Sequence, residues 1–216
     1  MSNLRVEGYD DIVFWQEDGI GVIVIKSSAE SRARIRFFEE IIMALTAAAT
    51  DENVRAVAIT GMNRNFLKEV VYPDENSIKF RENLTRLASA YLSLIYTMEK
   101  NVYTLLNGDS TDIGMEIALS GDVVIASASA SLGYSRNWKF CCGGSLTSLR
   151  FPALEISQAT AGKNCDIVFQ SDTFLDESKK FIQRDYGYSR FLMRRRRMDN
   201  LRIALLEEKE EFLRSA

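Results

Sequence analysis

The chain contains no histidine among its 216 residues, and this absence narrows the chemistry open to it. Without histidine there is no Ser-His-Asp or Cys-His nucleophile system and no histidine metal site. Proton transfer must therefore use a carboxylate, lysine, tyrosine or cysteine side chain. We expect no transition-metal site and no protease of the histidine-dependent type.

Cysteine, long apolar runs and excess charge are also scarce. The three cysteines cannot all pair within one chain and form no C-x-x-C motif, which predicts reduced thiols and a cytoplasmic location. The formal net charge of −3 gives no general attraction to nucleic acid or to an anionic membrane. No apolar run approaches the ~18 residues of a membrane span, and the first ten residues lack the apolar core of a secretory signal. We expect no nucleic-acid partner and no membrane association.

Hydrophobic periodicity predicts alternating strands and helices. Two strands, Ile12 to Glu17 and Ile20 to Lys26, flank the hairpin turn Asp18-Gly19. Helical spacing covers about 34–49, 78–99, 145–161, 176–185 and 188–213, and further strands are predicted at 54–60, 102–106, 123–126 and 166–170. The polar stretch 62–77 is predicted to be one long loop. This order indicates a parallel sheet covered by helices.

One segment carries most of the functional information: Asn107 to Asp122, with the sequence N-G-D-S-T-D-I-G-M-E-I-A-L-S-G-D. Glu116 is the single glutamate of a short, otherwise apolar helix. A buried carboxylate is expensive unless it is paired, neutralised or used. Glu116 therefore either acts in catalysis, pairs with an arginine, or caps a backbone group. Asp112, at the start of the same helix, is predicted to be its N-cap.

The segment resembles the enoyl-CoA hydratase/isomerase (crotonase) superfamily, whose pattern is roughly N-G-x-A-x-G-G-G-x-E-L-A-L-x-C-D-x-x-x-A. A second stretch, Ala44 to Gly61, is similar to the family's helix followed by D-x-x-V-R-A-V-V-L-T-G. The pattern of strands alone also fits a flavodoxin-like doubly wound sheet, and the resemblance decides between the two. The matches in the first segment are Asn107, Gly108, Gly114, Glu116, Ala118, Leu119, Asp122 and Ala126.

The resemblance implies a crotonase-like α/β fold, a spiral of strand-strand-helix units. Residues 1–175 would form the core, and residues 176–216 a C-terminal helical segment of the same domain that builds homotrimers or hexamers. The ligand would be an acyl-CoA or acyl-carrier thioester. Coenzyme A is then part of the substrate, and no separate cofactor is expected.

The resemblance also implies site residues. The backbone N–H groups of Val70 and Ile113 occupy the positions that form the family's oxyanion hole, and Glu116 would be the single acid/base acting on an enolate. The positions implied for substrate binding are Lys68, Gly114, Tyr134 and Arg136.

Several positions depart from the family pattern. The family's three glycines are Asp112-Ile113-Gly114 here, and its second glutamate aligns with Ser135-Arg136. These departures support a second hypothesis, a non-catalytic protein that serves as a scaffold or regulatory subunit. An open void between Val70, Ile113 and Glu116 would favour the enzyme, and a closed one the scaffold.

The remaining charged and apolar clusters have simpler interpretations. Arg194 to Arg197 is predicted to be a solvated or interface face rather than a nucleic-acid patch. The arginines at 32, 34 and 36 suit either an exposed helix start or a contact with phosphates of coenzyme A. Apolar residues of the C-terminal segment are predicted to pack against a neighbouring copy: Phe181, Ile182, Phe191, Leu192, Met193, Leu201, Ile203, Leu205, Leu206 and Phe212.

Overall fold

The computed structural model describes residues 5–6, 8–27, 32–71, 78–144, 165–186 and 190–214. The helix predicted at 145–161 and the break predicted at Gly187 lie outside these ranges. Within them the chain forms twelve strands and five helices. The strands are β1 (Arg5–Val6), β2 (Ile12–Glu17), β3 (Ile20–Ile25), β4 (Arg32–Arg34), β5 (Ala56–Gly61), β6 (Asn65–Leu67), β7 (Glu69–Val71), β8 (Asn101–Leu106), β9 (Asp109–Thr111), β10 (Val123–Ser127), β11 (Leu132–Gly133) and β12 (Ile167–Phe169). The helices are α1 (Arg36–Thr50), α2 (Ile78–Thr97), α3 (Ile113–Ser120), α4 (Phe174–Asp185) and α5 (Phe191–Arg214).

A seven-stranded sheet in the order β1-β2-β3-β5-β8-β10-β12 forms the centre of the fold. The first three strands pair antiparallel, and the others pair parallel. Asp18 and Gly19 both have positive φ, 51° and 80°, so the predicted hairpin turn is confirmed. β5, β8 and β10 are buried along their whole length, as expected for parallel strands covered on both faces.

Helices cover both faces of this sheet. On one face, α1, α2 and α3 contribute to a large apolar core that includes Phe37, Tyr91 and Met115. On the other face, α4 places Phe174 and Ile182 against the sheet in a smaller apolar cluster. Among the helices of the described ranges, none has both the length and the apolar character needed to cross a bilayer.

Two small sheets stand beside the central one and position the candidate site. β11, β9 and β6 form a three-stranded sheet, and β4 pairs with β7. The prediction of one long loop at 62–77 was therefore wrong for 65–71, which forms β6 and β7. β9 was also missed. Strands of three residues are too short to show a period of two in the sequence.

Gly114 allows α3 to approach β6 closely. A Cβ atom at this position would lie 1.8 Å from the carbonyl oxygen of Leu67 and 2.8 Å from Ser110 Oγ. Only glycine permits this contact between two backbones. Since Gly114 follows Ile113, this contact fixes the turn at the start of α3 against the end of β6.

Glu40 on α1 joins the helix to the start of β2. Its carboxylate is buried and accepts the backbone N–H groups of Asp10 (3.0 Å), Asp11 (2.7 Å) and Ile12 (3.1 Å). These three bonds satisfy backbone N–H groups at the start of β2 that would otherwise lack an acceptor. Glu40 thus fastens two segments that are far apart in the sequence.

The C-terminal helix α5 packs against α2. Arg81 of α2 donates to the carbonyl oxygen of Phe212 at 2.8 Å and stacks on its ring, 5.1 Å from the centroid. Ile182 and Leu201 were predicted to contact a neighbouring copy, but both are buried within this chain. Ile203 and Leu206 remain exposed, at 58% and 56%. The side chains of residues 191–199 lie outside the described set.

Candidate functional site

The carboxylate of Glu116 is fully enclosed by the segment 138–144. Its Oε1 accepts the indole N–H of Trp138 at 2.7 Å. Its Oε2 accepts the backbone N–H groups of Cys142 (2.6 Å) and Gly144 (3.0 Å), while the N–H of Cys141 lies 3.2 and 3.1 Å from the two oxygens. Of the three roles open to Glu116, the structure shows the binding of backbone groups. The side chain has no solvent-accessible surface.

The electrostatic environment of Glu116 combines opposing effects. Burial, followed by the nearby charge of Glu208 on α5, raises the pKa of Glu116 to about 8. The hydrogen bonds from Cys142, Trp138 and Cys141 act in the opposite direction, because they stabilise the ionised form. Four N–H groups converge on the carboxyl group, which is the arrangement of an anion site.

A cavity of about 430 Å³ lies next to the start of α3. This volume is within the range of small-molecule pockets. Trp138 lines the cavity and also donates to Glu116, so its indole separates the carboxylate from the open space. Glu116 itself does not line the cavity. The lining residues are Lys68, Glu69, Val70, Phe80, Leu84, Thr111, Asp112, Ile113, Trp138 and Phe212.

The two backbone positions matched to the oxyanion hole both line this cavity. The N–H of Ile113 is the first of α3 and has no hydrogen-bond partner among the described residues. The first N–H groups of a helix lack intrahelical acceptors and suit a negatively charged oxygen. Val70 lies opposite Ala33 in the β4–β7 pair, so its backbone is part of a strand pair.

Asp112 is the N-cap residue of α3 by position, but the predicted side-chain cap is wrong. The side chain makes no cap hydrogen bond. Instead its Oδ1 accepts the backbone N–H (2.6 Å) and the hydroxyl (2.8 Å) of Ser135. Asp112 also has φ of 54° and ψ of −120°, a conformation that favours glycine. These two bonds hold the aspartate where the family pattern has glycine.

The other residues implied for substrate binding are only partly brought together. Lys68 lines the cavity and pairs with Asp109 at 2.9 Å. Gly114 serves the contact with Leu67 described above and does not line the cavity. Tyr134 is half-buried and packs edge-on against Phe140, outside the cavity lining.

The hydroxyl of Tyr134 is buried without a partner among the described residues, and burial followed by the charge of Glu116 raises its pKa. Arg136 is exposed and does not line the cavity. The implied role of Arg136 in holding a ligand is therefore not supported in this arrangement.

Cys141, Cys142 and the arginines at 32, 34 and 36 are either buried or held in ion pairs. Cys141 and Cys142 are buried, and burial together with the charge of Glu116 raises the pKa of both thiols well above the usual range. Each of the three N-terminal arginines forms an ion pair, Arg32 with Glu69, Arg34 with Asp11, and Arg36 with Asp10 and Glu40. Within the described part of the chain, no cluster of three or more cysteine, aspartate and glutamate side chains could hold a metal ion.

Three residues of the site were not predicted from the sequence. Trp138 contacts both the cavity and Glu116, Glu208 lies buried beside the segment 141–144, and Phe212 forms a cavity wall. Gly143-Gly144 was the only available signal, since paired glycines mark a close backbone approach. Glu208 stands in an acidic run with Glu207, Glu210 and Glu211, and its residue type does not distinguish it from them.

A second cavity, of about 720 Å³, lies on the opposite face of the central sheet beneath α4. Although it is larger, it is lined by none of the residues implied for the oxyanion hole, for catalysis or for substrate binding; the motif residue Asn107 does line it. Its lining includes Thr60, Ser127, Ser129 and Lys179. We assign the candidate site to the smaller cavity because both residues matched to the oxyanion hole, Val70 and Ile113, line it.

Comparisons with known proteins identify the family of this chain. The family model described as enoyl-CoA hydratase/isomerase matches residues 16–140, more than half of the chain. The enoyl-CoA hydratase ACTT3 of Alternaria alternata is 27% identical over 135 residues, which are 61% of this chain and 44% of that protein. The chain thus spans less than half the length of this relative.

Solved structures show the same fold. An enoyl-CoA hydratase from Mycobacterium avium subsp. paratuberculosis superposes with a TM-score of 0.78 at 19% identity, covering 98% of this chain and 96% of that one. An enoyl-CoA hydratase from Bacillus halodurans gives 0.76 at 14% identity, covering 94% of each chain. The crotonase-like fold predicted from the sequence is confirmed, and the chain belongs to the enoyl-CoA hydratase/isomerase family.

Proposed function

We propose that this chain binds an acyl thioester in the cavity beside Ile113, with Glu116 serving as a buried structural carboxyl group in the closed arrangement. The proposal rests on two features taken together: the cavity is open, and the carboxyl group of Glu116 is fully buried. Ile113, whose N–H has no hydrogen-bond partner among the described residues, lines the cavity, while Glu116 has no exposed surface. In this conformation the protein has the parts for binding without a proton donor in contact with the ligand.

The walls of the cavity fit the two ends of such a ligand. Phe80, Leu84 and Phe212 offer apolar surface to an acyl chain. The N–H of Ile113 offers a donor to the thioester carbonyl oxygen, which carries partial negative charge. An aligned donor of this kind stabilises an oxyanion by ~3–4 kcal/mol when it acts in a transition state.

Sequestration of Glu116 supports the scaffold hypothesis over the enzyme. A general acid or base must come within hydrogen-bond reach of the atom that it protonates, directly or through one water. Glu116 is instead bonded to four N–H groups of the covering segment. An open void between Val70, Ile113 and Glu116 would favour the enzyme, and a closed one the scaffold. The cavity is open at Val70 and Ile113, but it does not reach Glu116, so this criterion favours neither hypothesis alone.

A second candidate is catalysis by Glu116, as in a hydratase or isomerase of the family. The raised pKa of about 8 favours it, because an acid that titrates near neutral pH can both hold and release a proton. This reaction needs the segment 138–144 to move away from Glu116. One carboxyl group would then shuttle the α-proton of an oxyanion-stabilised enolate.

Binding is tested by a thermal-shift screen against acyl-CoA thioesters of increasing chain length. Ligand at ~100 times its dissociation constant adds ~2.7 kcal/mol to stability. Thr111→Trp fills the cavity beside Ile113, and Ser129→Trp fills the cavity on the other face. We expect the first variant to abolish the shift and the second to leave it unchanged. No shift with any thioester in the wild type would contradict the proposal.

Exchange of the α-proton of a bound acyl-CoA in deuterated water, followed by NMR, separates the two candidates. The binding function predicts no exchange above background in the wild type or in Glu116→Gln. Catalysis predicts exchange in the wild type and a loss of ~10²-fold or more in the variant. Assembly into trimers or hexamers and a cytoplasmic location remain part of the proposal.

A further inference from the structure

The segment 141–144 lies between two buried carboxylates that come from different helices. Cys142 and Gly144 donate their backbone N–H groups to Glu116 of α3. The N–H between them, that of Gly143, donates at 2.7 Å to Glu208 of α5, which is only 5% exposed. Three consecutive backbone N–H groups of this segment thus bind alternately to α3, to α5 and again to α3.

This segment fits too tightly to carry side chains at its two glycines. A Cβ atom at Gly144 would lie 2.8 Å from the carboxyl carbon of Glu116 and 2.2 Å from Phe140 Cδ1. At Gly143 it would lie 2.8 Å from Leu92 Cδ1 on α2. Contacts this short do not occur for real Cβ atoms, so a side chain at either glycine would displace Phe140, Glu116 or Leu92.

The last turns of α5 contact both the segment 138–144, which covers Glu116, and the cavity. Glu211 forms an ion pair with Lys139, just before the covering segment. One residue further, Phe212 lines the cavity and holds Arg81 through its carbonyl oxygen and its ring. Glu208, Glu211 and Phe212 therefore connect the cavity wall to the segment that seals Glu116.

We infer that Glu208 is a positioning residue that holds the segment 141–144 closed over Glu116, so that access to this acid requires release of the last turns of α5. The inference rests on the proposed function, since it concerns access to the acid beside the same cavity. Removing the Glu208 carboxylate leaves a buried N–H at Gly143 without its partner and weakens the closed state. The closed state then opens more often, while the rest of the fold keeps its contacts.

The two buried thiols of the segment 141–144 become accessible to a reagent only when this segment opens, so their alkylation measures the opening. Cys141 and Cys142 are inaccessible when the segment is closed, and Cys165 lies apart, next to β12. Alkylation with iodoacetamide under native conditions, resolved by peptide mass spectrometry, gives a rate for each cysteine. We expect Glu208→Ala to raise the rates at Cys141 and Cys142 roughly tenfold or more, with no change at Cys165.

Two further variants complete the test. Glu208→Gln keeps an oxygen that accepts the Gly143 N–H and is expected to stay within about twofold of the wild type. Glu211→Ala removes only an exposed ion pair, which contributes little, and is also expected to stay near the wild-type rate. Circular dichroism confirms that each variant is folded.

Equal rates at Cys141 and Cys142 in Glu208→Ala and wild type would overturn the inference. So would a parallel rise at Cys165, which indicates general loosening, or a failure of Glu208→Gln to restore slow alkylation. The measurement uses the protein without ligand, so its outcome is independent of the thermal-shift test of thioester binding.

Discussion

Replacement of Gly114 by alanine tests whether the contact between α3 and β6 holds the candidate site together. The added methyl group would lie 1.8 Å from the carbonyl oxygen of Leu67. A carbon and a carbonyl oxygen normally approach no closer than about 3.3 Å, so one backbone must move by roughly 1.5 Å. Neither atom belongs to a flexible side chain that could turn away.

The sign of the predicted effect is opposite to that expected from helix propensity. Alanine in a helix interior is normally more stable than glycine by about 0.5–1 kcal/mol. Here the methyl group forces apart two buried backbones, and inserting extra volume into a packed core costs about 1–3 kcal/mol even where side chains can adjust. We expect Gly114→Ala to lower the free energy of unfolding by at least about 3 kcal/mol.

Equilibrium unfolding in urea measures this change, and Gly21→Ala is a matched control. At Gly21 the same methyl group would meet its nearest atom, Val54 Cγ1, at 3.3 Å, a close contact that small side-chain shifts relieve. We expect the control to stay within about 1 kcal/mol of the wild type. A Gly114→Ala protein as stable as the wild type, or more stable, would refute the structural role given to this glycine.

Three further predictions concern charge and assembly. The pKa of Glu116 is raised in the folded state from 4.5 to about 8, so its contribution to stability is complete below about pH 4.5 and is lost as pH rises through 8. Urea unfolding across this pH range should show the free energy of unfolding falling by up to ~1.4 kcal/mol per pH unit. Glu116→Gln should remove this slope. Glu40→Ala removes the acceptor of three backbone N–H groups, of which those of Asp11 and Ile12 are buried, and should cost about 3 kcal/mol. The exposed Glu39→Ala should stay within about 0.5 kcal/mol, and similar losses in both variants would be inconsistent with the fastening role. Light scattering should give the mass of a trimer or hexamer at micromolar concentration, and a monomer would contradict the assembly implied by the family.

The fold could be predicted because its sequence pattern is both local and long. Fifteen to twenty consecutive residues show the apolar period of α1 and α2, and the Asn107 to Asp122 motif encodes a strand, a turn and a helix in order. The short strands β6, β7 and β9 were missed because their pairing depends on partners far along the chain. A three-residue strand carries almost no pattern of its own.

The surroundings of Glu116 could not be predicted for a different reason. Three of its four bonded donors are backbone N–H groups, which every residue except proline possesses. The types of residue at 141–144 therefore do not reveal which carboxylate the segment binds. Glu208 was equally hidden, since only its helical phase distinguishes it from the exposed acids beside it.

Two of the buried glutamates that bind backbone amides, Glu40 and Glu116, have a consequence for unfolding kinetics. Glu40 closes a loop of 29 residues at Asp11, and Glu116 closes one of 26 residues at Cys142. Contacts of this length are formed only after the chain entropy of the intervening loop has been lost, and here they also require the helix and its partner segment to be in place. We expect them to form after the rate-limiting step of folding, so that their removal mainly accelerates unfolding and leaves the folding rate nearly unchanged. A chevron plot of Glu40→Ala in which the folding limb, rather than the unfolding limb, carries the change would show that this fastening belongs to the folding nucleus.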